Sequence, residues 1–137
     1  MDADEVIEHT PTAGTNATAV VIDDDCGFVG PTAAAALAKS AWTVTIATPL
    51  PMLAGEVDAT LIRFVHERLA TVNPRIVTDV RLLAEPGPDV VLEHVLTGAV
   101  TTLSKPGMVV VAGHRQAVNE LDRELLATAP GLDVRLA

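Results

Sequence analysis

Eight consecutive residues, Asp23-Asp24-Asp25-Cys26-Gly27-Phe28-Val29-Gly30, carry the strongest chemical signal in the chain. They stand between a β-branched apolar run and an alanine-rich one. A Gly-x-Gly-x-x-Gly turn in that position lets the backbone reach a pyrophosphate at a helix N-terminus. In this frame Gly27 and Gly30 are the second and third glycines, and Asp25 replaces the first. Gly27 allows close approach of a phosphate, and Gly30 allows tight packing of helix on strand. Asp25 sets a carboxylate near the phosphate charge, where the two repel. It can also cap the helix beyond it as a built-in anion, which predicts weak nucleotide binding by the chain alone. The bare alternative is a packing corner without a ligand.

Further candidates are thinner. After the second β-branched run, where an acidic residue ordinarily grips an adenosine ribose, stand Thr48 and Pro49, so that grip is weakened. Gly113-His114-Arg115 follows the most apolar run, Met108 to Ala112, at a strand end of the kind that faces ligands in open α/β sheets. A loop pair that merely faces water is the competing reading of His114 and Arg115. The triplet Asp23-Asp24-Asp25 also suits the Mg²⁺ pocket of a receiver-like signalling domain. That reading fails where a phosphoacceptor aspartate is needed, because Pro88-Asp89-Val90-Val91-Leu92 runs into Glu93. His9, His66, His94 and His114 have no ligand spacing, so no metal is expected. Cys26 has no basic neighbour in sequence and reads as a small turn residue. No Ser-His-Asp set and no acid/base carboxylate pair stands out, so no catalytic residue is assigned.

Composition narrows the classes. With 9 Lys+Arg against 18 Asp+Glu, the 137-residue chain carries a net charge of -9, so it lacks the basic footprint of a nucleic-acid binder. The same charge opposes an anionic membrane surface. Aromatic residues are 2% with no Tyr, which leaves no stacking platform for bases. One cysteine closes no intrachain disulfide and holds no iron–sulfur cluster alone. Met1 to Asn16 is acidic and polar rather than signal-like, and no apolar run reaches the roughly 18 residues of a membrane span. These readings predict a cytoplasmic, soluble protein with a core built from the 49% hydrophobic residues.

The elements that must position the turn follow from periodicity. Residues 1–17 read as an N-terminal arm or linker, and residues 18–137 as one domain. Thr18 to Asp23 is a buried parallel strand, apolar on both faces. Pro31 to Ser40 is an alanine-rich helix able to lie close to a sheet, and Trp42 to Ala47 is the next strand, completing a βαβ unit. A helix is predicted from about Glu56 to Thr71, with Val57, Leu61, Phe64, Val65, Leu69 and Val72 at helical spacing. Arg75-Ile76-Val77 is a short third strand. Asp79 to Thr102, broken by Pro86-Gly87-Pro88 and Gly98, reads as an antiparallel meander. Met108 to Ala112 is a second buried parallel strand, followed by a helix marked by Val118, Leu121, Leu125 and Leu126 and a strand from Leu132 to Leu136. The order β-α-β-α-β, meander, β-α-β belongs to the α/β, Rossmann-like, three-layer FAD/NAD(P)-binding class.

Three stretches resemble one family. AVVIDDDCGFVGPTAAAALAKSAWTVTIAT, ATLIRFVHERLATV and KPGMVVVAGHRQAVNELDRELLA are similar in order and spacing to the C-terminal nucleotide-binding domain of long old yellow enzyme family flavoenzymes. These are the relatives of trimethylamine dehydrogenase and 2,4-dienoyl-CoA reductase. The resemblance runs from about Val6 to the end, and Gly113, His114 and Arg115 match its Gly-Arg-type turn. It implies a cofactor site for ADP or NAD(P)/FAD over Asp25, Cys26, Gly27, Phe28, Gly30, Thr48, Gly113, His114 and Arg115. The catalytic barrel, with its FMN and iron–sulfur cluster, has no counterpart here. The resemblance therefore implies a small nucleotide-domain subunit that assembles with a larger flavin-dependent oxidoreductase subunit carrying those groups. An autonomous NAD(P)-binding oxidoreductase domain is the alternative.

Overall fold

The computed structural model describes residues 1–84 and 87–113. The helix expected at 118–126, the strand at 132–136, and His114 and Arg115 lie outside the described residues. Four strands form a parallel sheet: β1 (Thr18–Asp23), β2 (Thr43–Ala47), β3 (Arg75–Val77) and β7 (Met108–Ala112), in the order β3-β2-β1-β7. Between them run α2 (Val29–Lys39), α3 (Ile62–Ala70) and the meander β4 (Val80–Leu82), β5 (Asp89–His94) and β6 (Val100–Ser104), an antiparallel sheet. This is the Rossmann-like α/β class that the order of elements predicts.

The period of two along β1 builds the layers. Ala19 and Val21 face a core with Ala33, Ala34 and Leu37 of α2 and Ile46 of β2. Val20 and Ile22 face the opposite way, against Val80 of β4 and Val90 and Leu92 of β5. Alanines at 33–35 are fully buried, so α2 sits close on the sheet and its first turn meets the end of β1. Gly30 is where they touch. A β-carbon there would stand 2.8 Å from Cγ and 2.9 Å from Cβ of Asp23, so only glycine fits.

Two expectations change. Residues 3–8 are helix α1 (Ala3–Glu8), with Ala3 and Val6 buried in the main core, where the sequence suggested a plain arm. The N-terminal amino group donates to Val109 O at 3.1 Å and Val111 N donates to Met1 O at 3.1 Å, so the first residues line the edge of β7. Helix α3 begins at Ile62 rather than near Glu56. Asp58 accepts from Thr60 N at 2.8 Å and from Thr60 Oγ1 at 2.6 Å, and a side chain that bonds its own backbone this way favours a turn over a helix. Phe64 and Leu61, two of the apolar positions at helical spacing, are exposed. Among the described residues no helix is long and apolar enough to cross a membrane.

Candidate functional site

The turn between β1 and α2 sits at the carboxyl edge of the parallel sheet, pinned to neighbours on both sides. Asp24 N and Asp25 N both donate to Ala112 O at the end of β7, at 2.9 and 3.0 Å. On the other side Cys26 O accepts from Glu56 N at 3.1 Å, tying the turn to the loop after β2. Leu53 O in that loop lies 3.0 Å from His66 Nε2 of α3. Within the turn, Gly27 N donates to Asp25 Oδ1 at 3.2 Å. Cys26 is left-handed at φ 54, a conformation unfavourable for a residue with a β-carbon. Its buried thiol is 3.7 Å from the carbonyl oxygens of Asp23 and Asp24 and 3.9 Å from Thr48 Oγ1. Burial, together with the charges of Asp23, Asp24 and Asp25, pushes that thiol up from its usual range against the lowering influence of Thr48. That direction favours the protonated thiol over the thiolate that a nucleophile needs.

The head of α2 is open. Its N-cap is Phe28, with no side-chain capping bond, so Asp25 is not the cap that the sequence suggested. Pro31 in the first turn has no N–H, and Thr32 N already donates to Phe28 O at 3.0 Å. That leaves Val29 N and Gly30 N, with the positive end of the helix dipole, as the donors offered to an anion. Gly27 is partly exposed, and the nearest atom that a β-carbon on it would meet is a carboxyl oxygen of Asp25, at 3.2 Å.

The expected site residues divide by depth. Asp25, Gly27 and Phe28 reach the surface, as does Gly113 just past the end of β7, and the Phe28 ring faces a groove with Pro31, Phe64 and Arg68. Cys26, Gly30 and Thr48 are buried. Thr48 is 0% exposed and its hydroxyl lies on the inner side of the turn, near Cys26. Glu93 of the receiver reading sits on β5 in the antiparallel sheet, paired with Arg81 Nη2 at 2.8 Å, and closes no parallel strand. Among the described residues no group of three or more His, Cys, Asp or Glu is arranged to hold a metal.

Sequence reasoning passed over Asp23 except as part of a triplet. It is 0% exposed, and neither carboxyl oxygen has a hydrogen-bond partner among the described residues. Burial, and next the charge of Asp25, raise it to about 7. The available signal was a carboxylate closing an otherwise apolar strand, with a glycine seven residues on to make room for it.

No family model matches the chain, and no curated protein matches it significantly in sequence. Solved structures share its fold. Histamine dehydrogenase from Rhizobium sp. 4-9 superimposes with a TM-score of 0.82 at 23% identity, over 94% of this chain and 20% of that one. The 6-hydroxypseudooxynicotine amine oxidase of Pseudomonas geniculata N1 gives 0.80 at 17% identity, over 96% and 19%. NDH2 of Plasmodium falciparum, in complex with NADH, gives 0.64 at 13% identity, over 93% and 27%. The chain thus spans about a fifth to a quarter of the length of these oxidoreductases, and what it shares with them is the Rossmann-like fold.

Proposed function

We propose that this chain is the nucleotide-domain component of a flavin-dependent oxidoreductase of the trimethylamine dehydrogenase branch of the old yellow enzyme family. It assembles with a larger chain that carries FMN and an iron–sulfur cluster, and its own glycine turn receives the pyrophosphate of ADP, NAD(P) or FAD. The observation that carries the reading is the uncapped head of α2, set by Gly30 against the end of β1 and opened by Gly27. Support for the branch comes from the likeness in fold to histamine dehydrogenase and to the amine oxidase.

In this reading Val29 N and Gly30 N hold a phosphate, with Gly113 just past the end of β7 beside them, while His114 and Arg115, which the family resemblance adds to the site, lie outside the described residues. No residue is assigned to catalysis. The test is calorimetric titration of the chain with ADP and NADH, comparing wild type with Gly27→Val. A valine there fills the space the pyrophosphate needs and leaves the core untouched. The expected result is weak binding by wild type that Gly27→Val abolishes; equal affinities would make the turn a packing corner. Turnover of NADH with a dye or flavin by the chain alone would favour an autonomous enzyme instead.

A further inference from the structure

We propose that anion binding at the glycine turn is coupled to proton uptake, up to one proton, and that the proton resides on Asp23. The inference rests on the nucleotide reading above and adds to it a pH control built into the same turn. Asp23 closes β1 directly beneath the first turn of α2, where the missing β-carbon of Gly30 leaves space for its carboxyl group. It is fully buried, and both oxygens lack hydrogen-bond partners among the described residues.

The groups around it do little to hold a negative charge. From its own turn come the carboxylates of Asp24 and Asp25 and the thiol of Cys26; from the end of β2 comes the Thr48 hydroxyl. Helix α2 contributes Gly30, and β7 contributes Ala112 O, which is already taken up by Asp24 N and Asp25 N. No cation of the described residues acts on Asp23. An anion settling at the head of α2 adds further negative charge beside a carboxyl group shielded from water. The cheapest response is protonation, because the neutral acid removes the repulsion and the desolvation penalty together. With Asp23 already balanced at about 7 in the free protein, that response falls in the neutral range. Binding is therefore tight on the acid side and loosens as Asp23 ionises.

The probe is NAD⁺, whose pyrophosphate carries no titrating proton near neutrality. Its affinity is measured by calorimetry on the whole chain, wild type and Asp23→Asn, from about pH 6 to about pH 8.5. Wild-type affinity should fall by roughly tenfold across that range, and Asp23→Asn should flatten the dependence near the tight limit. Carboxyl ¹³C resonances of the wild-type protein give a readout that needs no variant: the Asp23 midpoint should rise when NAD⁺ is added. Wild-type affinity independent of pH overturns the proposal and leaves the nucleotide reading intact. So does a pH dependence that survives Asp23→Asn, or an Asp23 midpoint unmoved by the ligand. Absence of NAD⁺ binding at every pH overturns both.

Discussion

Asp23 weakens the fold as pH rises. An acid whose folded value lies above its unfolded one binds more protons folded than unfolded, so stability falls as pH climbs between the two. For Asp23 the window runs from its ordinary 3.8 to about 7. The fold is relieved of the penalty at the low end and bears it in full above the high end, by up to about 4 kcal/mol. Asp23→Asn should therefore stabilise the protein against urea at about pH 8 and much less at about pH 4.5; a pH-independent difference would mean the carboxyl is solvated. Gly30→Val should destabilise by roughly 1–3 kcal/mol, since its side chain has no room beside Asp23, and denaturation midpoints measure that directly. Asp25→Gly loses the bond to Gly27 N, on the order of 0.5–1.5 kcal/mol. It also removes a neighbouring charge, so it should raise affinity for ADP. Unchanged ADP binding would mean that Asp25 points away from the phosphates, and weaker binding that it helps to hold the ligand. The glycines were legible in the sequence because spacing alone identifies them. The place of Asp23 was not, because burial of a carboxylate is decided by a helix packing over it.

At the level of elements, the strands were legible because β1 and β7 are apolar on both faces, and α2 because alanines dominate it. Helix α1 escaped because only Ala3 and Val6 point inward, too few to make a periodic signal. Val57 is buried in a loop yet falls in phase with Val65 and Leu69, and that extended the predicted α3 toward Glu56 although the Asp58 turn intervenes. The packing of α1 gives a direct test. Val6→Ala empties a fully buried site between α1 and the main core and should cost about 2 kcal/mol in urea denaturation. A cost near zero would return residues 1–17 to the status of a loose arm.

The whole molecule brings one edge of the parallel sheet, one uncapped helix and one glycine turn to the same place, and the account stands or falls on what binds there. The most direct measurement is amide chemical-shift mapping of the ¹⁵N-labelled chain during titration with NAD⁺, which reports residue by residue where the ligand sits. Saturable shifts are predicted for Gly27, Phe28, Val29 and Gly30, with smaller ones at Thr48 and Gly113, and none on the outer strand β6. Shifts confined to other surfaces, or no shift at this turn with NAD⁺ in large excess, would contradict a nucleotide site at the head of α2.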